Sequence, residues 1–231
     1  MRRFPHPVMA SFIALAMVLG AGNPAVGQAA NSSVTRGQWI LRLSPGPQYA
    51  SSTRFLLIFK IPLYPQVAAW LEDANGNFID TIYVTKKAAK RSFYSAPASG
   101  RPEALPVWYH RQPEQQRSVD AVTGATSIGP FEFHSTVGES LSPGRYVVFL
   151  EINSSYDYND RYTRSNSGVN GQPSLIYRAE IQVGRGPSTA VFVPIGTGSV
   201  DGSDGLIHSG LEGITTALRL LTRAEIEYRG D

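Results

Sequence analysis

The sequence predicts an all-β fold, an antiparallel immunoglobulin-like β-sandwich with long loops. Short apolar runs alternate with turn-forming Gly, Pro, Asn and Asp residues, and no segment sustains the 3.6-residue period of a long helix. A Gly-Asn turn precedes one strand candidate, and a Pro-Gly turn later begins another. This order suits an immunoglobulin-like sandwich.

Residues 1–29 have the pattern of a cleavable secretory signal peptide. Arg2 and Arg3 give a positive start, Val8–Leu19 gives an apolar run, and small residues near position 29 give a cleavage site. The run is about half of the roughly 20 residues that a membrane span needs, and no later segment comes closer. We therefore expect residues 30–231 to form a single β-sandwich domain in the bacterial periplasm, with no membrane span in the mature chain.

Composition excludes several classes of function. The chain has 21 basic and 18 acidic residues, and loss of Arg2 and Arg3 with the signal leaves 19 basic ones, so the mature chain is nearly neutral. This balance gives no basis for nucleic acid binding. The absence of cysteine excludes iron–sulfur clusters, c-type haem attachment, zinc–thiolate sites and thiol catalysis. A redox role would need an organic cofactor or non-thiolate metal ligands.

The strand candidates are apolar runs bounded by turn residues. The dense run Arg54–Lys60 is typical of one buried strand. Asn75-Gly76 supplies the positive φ angles of a tight hairpin, so the runs on its two sides should pair antiparallel. Gly213–Leu221 could form one short helical turn. The full set of strand candidates is Trp39–Leu43, Arg54–Lys60, Val67–Glu72, Phe78–Val84, Phe131–His134, Arg145–Asn153, Ser174–Val183, Ala190–Pro194 and Thr222–Arg229.

Two long loops interrupt this pattern. Residues 85–142 form a basic, Pro-rich connection with short strands, longer than ordinary connections and so either functional or disordered. Residues 154–173 are rich in Tyr, Asn and Ser, and form either a binding platform or a cover for one end of the sandwich. The basic residues of 86–119 are Lys86, Lys87, Lys90, Arg91, Arg101, Arg111 and Arg117, against Glu103 and Glu114 alone.

The stretch Asp120–Thr126 (DAVTGAT) is the strongest functional signal. It fits Asp-x-x-[Ser/Thr]-Gly-Ala-[Ser/Thr], which should occur by chance in about one in a thousand chains of this length. It resembles the acceptor sequence of the bacterial flavin transferase that esterifies FMN to a threonine hydroxyl. The resemblance implies that Thr126 is the covalent FMN acceptor and that Asp120, Thr123, Gly124 and Ala125 complete the recognised site.

The residues around this stretch suit a phosphate-linked flavin. Gly124 and Ala125 leave room for a bulky FAD and a transferase to approach the backbone. The basic connection helps to hold a phosphate, and an aromatic ring could stack on the flavin. The candidate rings are Tyr94, Trp108 and Tyr109. The alternative reading is a Thr-Gly turn in a solvated basic loop.

Four motifs carry a wider resemblance: a Trp70-Leu71-Glu72-Asp73 strand end, Ala121–Thr126, a Pro143-Gly144-Arg145-Tyr146 turn, and Glu151 within the strand that follows. Together they resemble a family of predicted periplasmic proteins associated with flavin transferases and PepSY-type membrane redox proteins. The chain departs from the family's Trp-Asp-Gly turn, where it has Phe131–Ser135. The resemblance implies a flavin transferase and a membrane redox protein as partners.

Metal and hydrolytic sites have weaker signals. Asp201 and Asp204 are weak calcium candidates in a Gly-rich loop, and neither this loop nor Asp73–Val84 fits an EF-hand. His110, His134 and His208 lack metal-ligand spacing. No Gly-x-Ser-x-Gly, Ser-x-x-Lys, Gly-x-Gly-x-x-Gly or Walker A sequence occurs.

Three functions are therefore open. The first is a periplasmic electron-transfer carrier with FMN on Thr126. The second is a non-catalytic binding or adaptor module that uses the sandwich loops and has no cofactor. The third is a metal-dependent protein, which requires the three histidines, or Asp201 and Asp204, to converge in space.

Overall fold

Two β-sheets packed face to face form the body of the protein. The computed structural model describes residues 37–55, 59–90, 92–93, 100–113, 123–124, 129–136 and 141–230, and at 53–55, 59–61 and 123–124 it describes the backbone alone. The strands are β1 (Gly37–Pro45), β2 (Ser51–Phe55), β3 (Phe59–Leu63), β4 (Gln66–Glu72), β5 (Phe78–Thr85), β6 (Thr123–Gly124), β7 (Phe131–Thr136), β8 (Gly144–Asn153), β9 (Leu175–Val183), β10 (Ser188–Val191), β11 (Val193–Thr197), β12 (His208–Ser209) and β13 (Leu221–Gly230).

The strand order confirms the predicted all-β fold. A four-stranded sheet has the order β10-β13-β1-β7, and a seven-stranded sheet has the order β12-β11-β9-β8-β4-β5-β6. Within the described residues, the pairs in these sheets are antiparallel except for β5 with β6, which is parallel. The immunoglobulin-like subtype stays a prediction.

The helical elements are short. They are α1 (Lys86–Ala89), α2 (Pro106–Arg111), α3 (Arg164–Ser167) and the 3₁₀ turns Pro102–Ala104 and Thr216–Arg219. The turn at 216–219 confirms the helical turn predicted for Gly213–Leu221. In the described part of the chain, no helix has both the length and the apolar character needed to cross a membrane.

Alternating side chains on both sheets build the main core. On β1, Trp39 and Leu41 point toward the other sheet, and the Trp39 ring lies 4.9 Å from the ring of Tyr228 on β13. Val148 and Leu150 on β8 fill the core from the opposite side. Side chains two residues apart share a face of a strand, so each sheet contributes one apolar face to this core.

The run Arg54–Lys60 is two strands rather than the single one predicted. β2 and β3 pair with each other, with Phe55 opposite Phe59, in a separate two-stranded sheet. An unbroken apolar run contains no turn residue that would mark a reversal of the chain. For this reason the sequence pattern could not distinguish one strand from a hairpin.

Ala190–Pro194 is also divided, because the chain changes sheets within it. β10 pairs with β13 in the four-stranded sheet, and β11 pairs with β9 in the seven-stranded sheet. Between them the buried Phe192 donates its N–H to the Ala224 carbonyl at 3.0 Å. The run is continuous in sequence, but its hydrogen bonds go to two different sheets.

The β4–β5 hairpin is confirmed, with a different turn from the one predicted. Gly76 has a φ of 82°, whereas Asn75 has no positive φ. Asp73 accepts the Gly76 N–H through its carbonyl, and its Oδ1 accepts the N–H groups of Asn75 and Asn77. The Asp73 side chain therefore organises the turn, and only Gly76 needs the left-handed conformation.

We expect Leu150→Ala to lower the free energy of unfolding by about 2–5 kcal/mol, because Leu150 is fully buried in the main core and the substitution leaves a cavity. Urea denaturation measures the change. Leu206→Ala is the matched control, since Leu206 is 63% exposed and should change stability by less than about 0.5 kcal/mol. Equal losses in the two variants would contradict this description of the core.

Candidate functional site

Part of the predicted flavin acceptor lies at a sheet edge. Of the predicted residues, Thr123 and Gly124 are described, and Asp120, Ala125 and Thr126 lie outside the described residues. Thr123 and Gly124 form β6, the last strand of the seven-stranded sheet, and pair with the end of β5. Helix α1 follows β5 directly and packs beside β6.

The basic residues near this edge differ in whether they already form ion pairs with acidic residues. Lys86 and Lys87 on α1 and Lys90 just after it are exposed. The ion pairs formed among the described residues do not include these lysines. Arg101 and Arg111 are instead paired with Glu103 and Glu72. Arg91 and Arg117 lie outside the described residues.

Trp108 is not available for a flavin ring, contrary to the sequence-based expectation. It is only 6% exposed and packs on the outer face of the seven-stranded sheet with Trp70 and Phe149, while its Nε1 donates to Thr81 Oγ1 at 3.1 Å. Tyr109 is partly buried against the same cluster. Tyr94 lies outside the described residues. The indole is part of a second hydrophobic core because residues 100–113 fold onto the sheet.

Glu151 fixes the start of helix α2. It is fully buried on β8, and its carboxylate accepts the N–H groups of Val107 at 3.2 Å and Trp108 at 2.7 Å and the hydroxyl of Ser174 at 2.6 Å. A side chain that accepts these N–H groups performs the role of a helix N-cap, and Leu105 at the cap position makes no such bond. Burial raises the pKa of Glu151 to about 7.

The close packing around Glu151 also explains Gly198. A Cβ there would lie 2.5 Å from Ser174 Oγ and 3.1 Å from Glu151 Oε1. Any larger residue would therefore have to displace the Ser174 hydroxyl that donates to Glu151. The sequence contained a signal for this site, because Glu151 is the one acid in the otherwise apolar part of the strand RYVVFLEIN.

The other end of α2 is held by a second buried acid. Glu72 accepts the Trp70 Nε1 hydrogen at 2.9 Å and pairs with Arg111 at 3.2 Å. Burial raises the pKa of Glu72, although the Trp70 hydrogen bond and the Arg111 charge act in the opposite direction. Both ends of α2 are thus attached to the sheet by carboxylates, immediately before the acceptor region.

Buried amides join the loops at one end of the sandwich. Asn170 is fully buried and donates to the carbonyl oxygens of Glu103 and Val200, while its Oδ1 accepts a hydrogen bond from Arg101. Gln172 accepts the Thr215 N–H at 2.6 Å and donates to Thr216 Oγ1. These hydrogen bonds hold the segments 100–113, 154–173 and 197–216 together at this end of the sandwich.

This end contains a cleft of about 570 Å³, which we call the loop cleft. Segment 197–214 forms its walls, and Arg161, Tyr162 and Pro173 contribute from the tyrosine-rich loop. Asp204 Oδ1 accepts the Leu206 N–H and lies 3.2 Å from His208 Nε2. Among the described residues, no hydrogen bond joins His208 to a serine of the cleft.

The tyrosine-rich loop also lines part of a second cleft, which has a volume of about 450 Å³. Tyr156, Asp157 and Tyr158 line it, and Tyr156 has a φ of 62°, the one positive φ at a non-glycine residue in the described ranges. Asp157 accepts the Thr216 hydroxyl, and burial raises its pKa. Tyr162 packs on the main core. Tyr162 therefore fits the predicted role of the loop as a cover for the sandwich, whereas the binding role stays a prediction.

The metal candidates do not converge. Within the described part of the chain, no group of three or more His, Asp or Glu side chains could hold a metal ion. His110 bonds to the Gly202 carbonyl, His134 to Glu132 on the four-stranded sheet and His208 to Asp204. Asp201 accepts the Ser203 N–H within its own turn. The metal hypothesis requires these side chains to lie close together, and among the described residues they do not.

Comparison with known proteins adds no relative. No family model matches the chain, and neither a curated protein nor a solved structure matches it significantly. The resemblance to the family of predicted periplasmic proteins therefore stays a prediction.

We expect Glu151→Gln to remove a pH dependence of stability. The folded pKa of about 7 lies above the ordinary value of 4.5. The stabilisation is therefore fully present below about pH 4.5 and is lost as the pH rises through about 7. Its size is about 3 kcal/mol at most. Urea denaturation between these pH values should show a decline in wild-type stability that is absent from the variant.

Glu180→Gln is the matched control on the neighbouring strand β9. Glu180 is exposed, and its hydrogen bond with Arg178 lowers its pKa. Any stabilisation from this pair is therefore constant above about pH 4.5 and is lost only as the pH falls further, so the variant should keep the wild-type pH slope between about pH 4.5 and 7. Identical pH slopes for wild type and Glu151→Gln would contradict the role given to Glu151.

Proposed function

We propose that this chain is an exported electron-transfer carrier with FMN bound to Thr126 through a phosphoester. The observation that carries the proposal is the complete acceptor string Asp120–Thr126 in a chain with the pattern of a secretory signal. The edge position of Thr123 and Gly124 supports it, because a transferase can approach an edge strand more easily than a central one.

The attachment reaction needs one hydroxyl from this chain. The Thr126 Oγ would displace AMP from FAD, forming the bond to the FMN phosphorus while the pyrophosphate bond breaks and the hydroxyl proton is lost. The flavin supplies the electron-transfer chemistry once it is bound, and the protein supplies position and electrostatics. Redox chemistry of this kind requires no cysteine, and the chain has none.

The lysines of α1 and its C-terminal end supply the positive charge that a phosphate group requires. Lys86, Lys87 and Lys90 are exposed, and α1 packs beside β6. Thr126 follows Gly124 by two residues, and two residues of chain span at most about 7.6 Å. We therefore assign these lysines, rather than the paired Arg101 and Arg111, to the neighbourhood of the flavin phosphate.

The partners follow from the resemblance and from the expected location. A flavin transferase would modify Thr126 in the periplasm, and a membrane redox protein of the PepSY type would exchange electrons with the carrier. The near-neutral mature chain and the lack of a spanning helix in the described residues are compatible with a small mobile carrier.

A second candidate is a binding module without a cofactor. The observation that favours it is the ordered loop end, where the tyrosine-rich loop lines part of two clefts of about 570 and 450 Å³. These volumes lie within the range of small-molecule sites.

We expect Thr126→Val to abolish attachment of FMN, because valine has no hydroxyl. Co-expression with a flavin transferase, followed by fluorescence of a denaturing gel and intact mass, should show one FMN per wild-type chain and none on the variant. Ser127→Ala is the matched control, since it removes the neighbouring hydroxyl and should leave the adduct unchanged. A wild-type chain that acquires no FMN would refute the proposal.

We also expect the triple variant Lys86→Gln, Lys87→Gln, Lys90→Gln to slow FMN attachment several-fold at low ionic strength, and less at high salt, because long-range attraction is screened. The initial rate of fluorescence incorporation measures this. Arg185→Gln removes one exposed positive charge from the β9–β10 connection and should keep the wild-type rate. Equal rates for all variants at every salt concentration would show that the lysines do not contribute to FMN attachment. The role proposed for Thr126 would not be affected by that result.

A further inference from the structure

The loop cleft has the size and the order of a preformed ligand site. Its volume of about 570 Å³ is within the usual range of about 300–1,000 Å³ for small-molecule sites. Its walls are held from outside the cleft: Asn159 Nδ2 donates to the Gly213 carbonyl at 2.9 Å, and His110 Nε2 lies 2.9 Å from the Gly202 carbonyl. A cleft that is already ordered loses little conformational entropy when a ligand binds.

The cleft is lined by charged groups of both signs. Arg161 lies in the same lining as the carboxylates of Asp204 and Glu212, together with the imidazole of His208. Arg161 is fixed by its hydrogen bond to the Glu212 carbonyl at 3.0 Å, and His208 by its contact with Asp204. A phosphate would meet two carboxylates here, and an ammonium would meet a guanidinium. The arrangement therefore disfavours ligands with a strong charge of either sign.

The same groups suit a ligand that both donates and accepts hydrogen bonds. Carboxylates accept from hydroxyl groups, guanidinium donates to them, and the Ser203 and Ser209 hydroxyls do both. Side chains of both kinds around one cleft match a molecule with several hydroxyl groups. Because His208 has no serine partner in the described structure, the cleft has the groups for binding and lacks an assembled nucleophile.

We propose that the loop cleft binds a neutral saccharide of one or two sugar units. This inference rests on the second candidate function, a binding module, and names the class of ligand that it would bind. It does not depend on FMN attachment. Binding would be weak, with a dissociation constant in the millimolar range, because each hydrogen bond to the ligand replaces one that the ligand already makes with water.

The test is an NMR titration of the ¹⁵N-labelled exported protein, produced without a flavin transferase. The probes are maltose, cellobiose and N,N′-diacetylchitobiose, with glucose 6-phosphate and glucosamine as charged comparators. We expect at least one neutral probe to cause saturable shifts of backbone amides between residues 197 and 214. We expect both charged comparators to bind more weakly than that probe.

Asp204→Asn should weaken that binding at least ten-fold, since it removes the charge paired with His208. Asp201→Asn is the matched control: Asp201 lies in the same loop outside the cleft, and asparagine keeps its turn. No saturable shift with any neutral probe, tighter binding of a charged comparator, or equal affinities for the two variants would overturn the proposal. Such a result leaves the FMN proposal untouched, because flavin attachment is measured separately.

Discussion

A carboxylate within an apolar sheet face destabilises a protein by several kcal/mol unless hydrogen bonds replace its lost hydration. Glu151 meets this condition by accepting two backbone N–H groups from α2 and one hydroxyl from Ser174. The same hydrogen bonds satisfy both the buried carboxylate and the free N–H groups at the start of the helix. The folding of residues 100–113 onto the sheet, and the second hydrophobic core beneath them, depend on this arrangement.

This folded segment is connected to both candidate sites. Its C-terminal end, anchored by Arg111 and Glu72, leads into the acceptor region. On its outer side, His110 contacts the Gly202 carbonyl in the wall of the loop cleft. Arg101 at its start reaches Ser155 and Asn170 in the tyrosine-rich loop. The connection that the sequence suggested to be irregular is therefore the part that fixes the positions of the loops.

The sequence predicted many of the strands because an apolar run bounded by turn residues is a local pattern. Trp39–Leu43 and Arg145–Asn153 were recognisable for this reason, and both are confirmed within β1 and β8. Contacts between distant segments leave no such pattern. Nothing near Trp108 in the sequence indicates that Glu151, 43 positions later, would cap the helix that contains Trp108. The loop cleft was missed for the same reason, since Arg161 and His208 meet only in the folded chain.

The passage of the chain through Phe192 has a consequence for the shape of the core. Val191 and Val193 belong to different sheets but are two residues apart, so their Cα atoms lie at most about 7.6 Å from each other. Sheets that pack face to face are usually about 10 Å apart. The two sheets therefore approach each other closely at this edge, where the small residues Ala179, Ala190 and Ala224 pack in the core. A larger side chain at any of these three alanines should be poorly tolerated, because the space between the sheets is limited there.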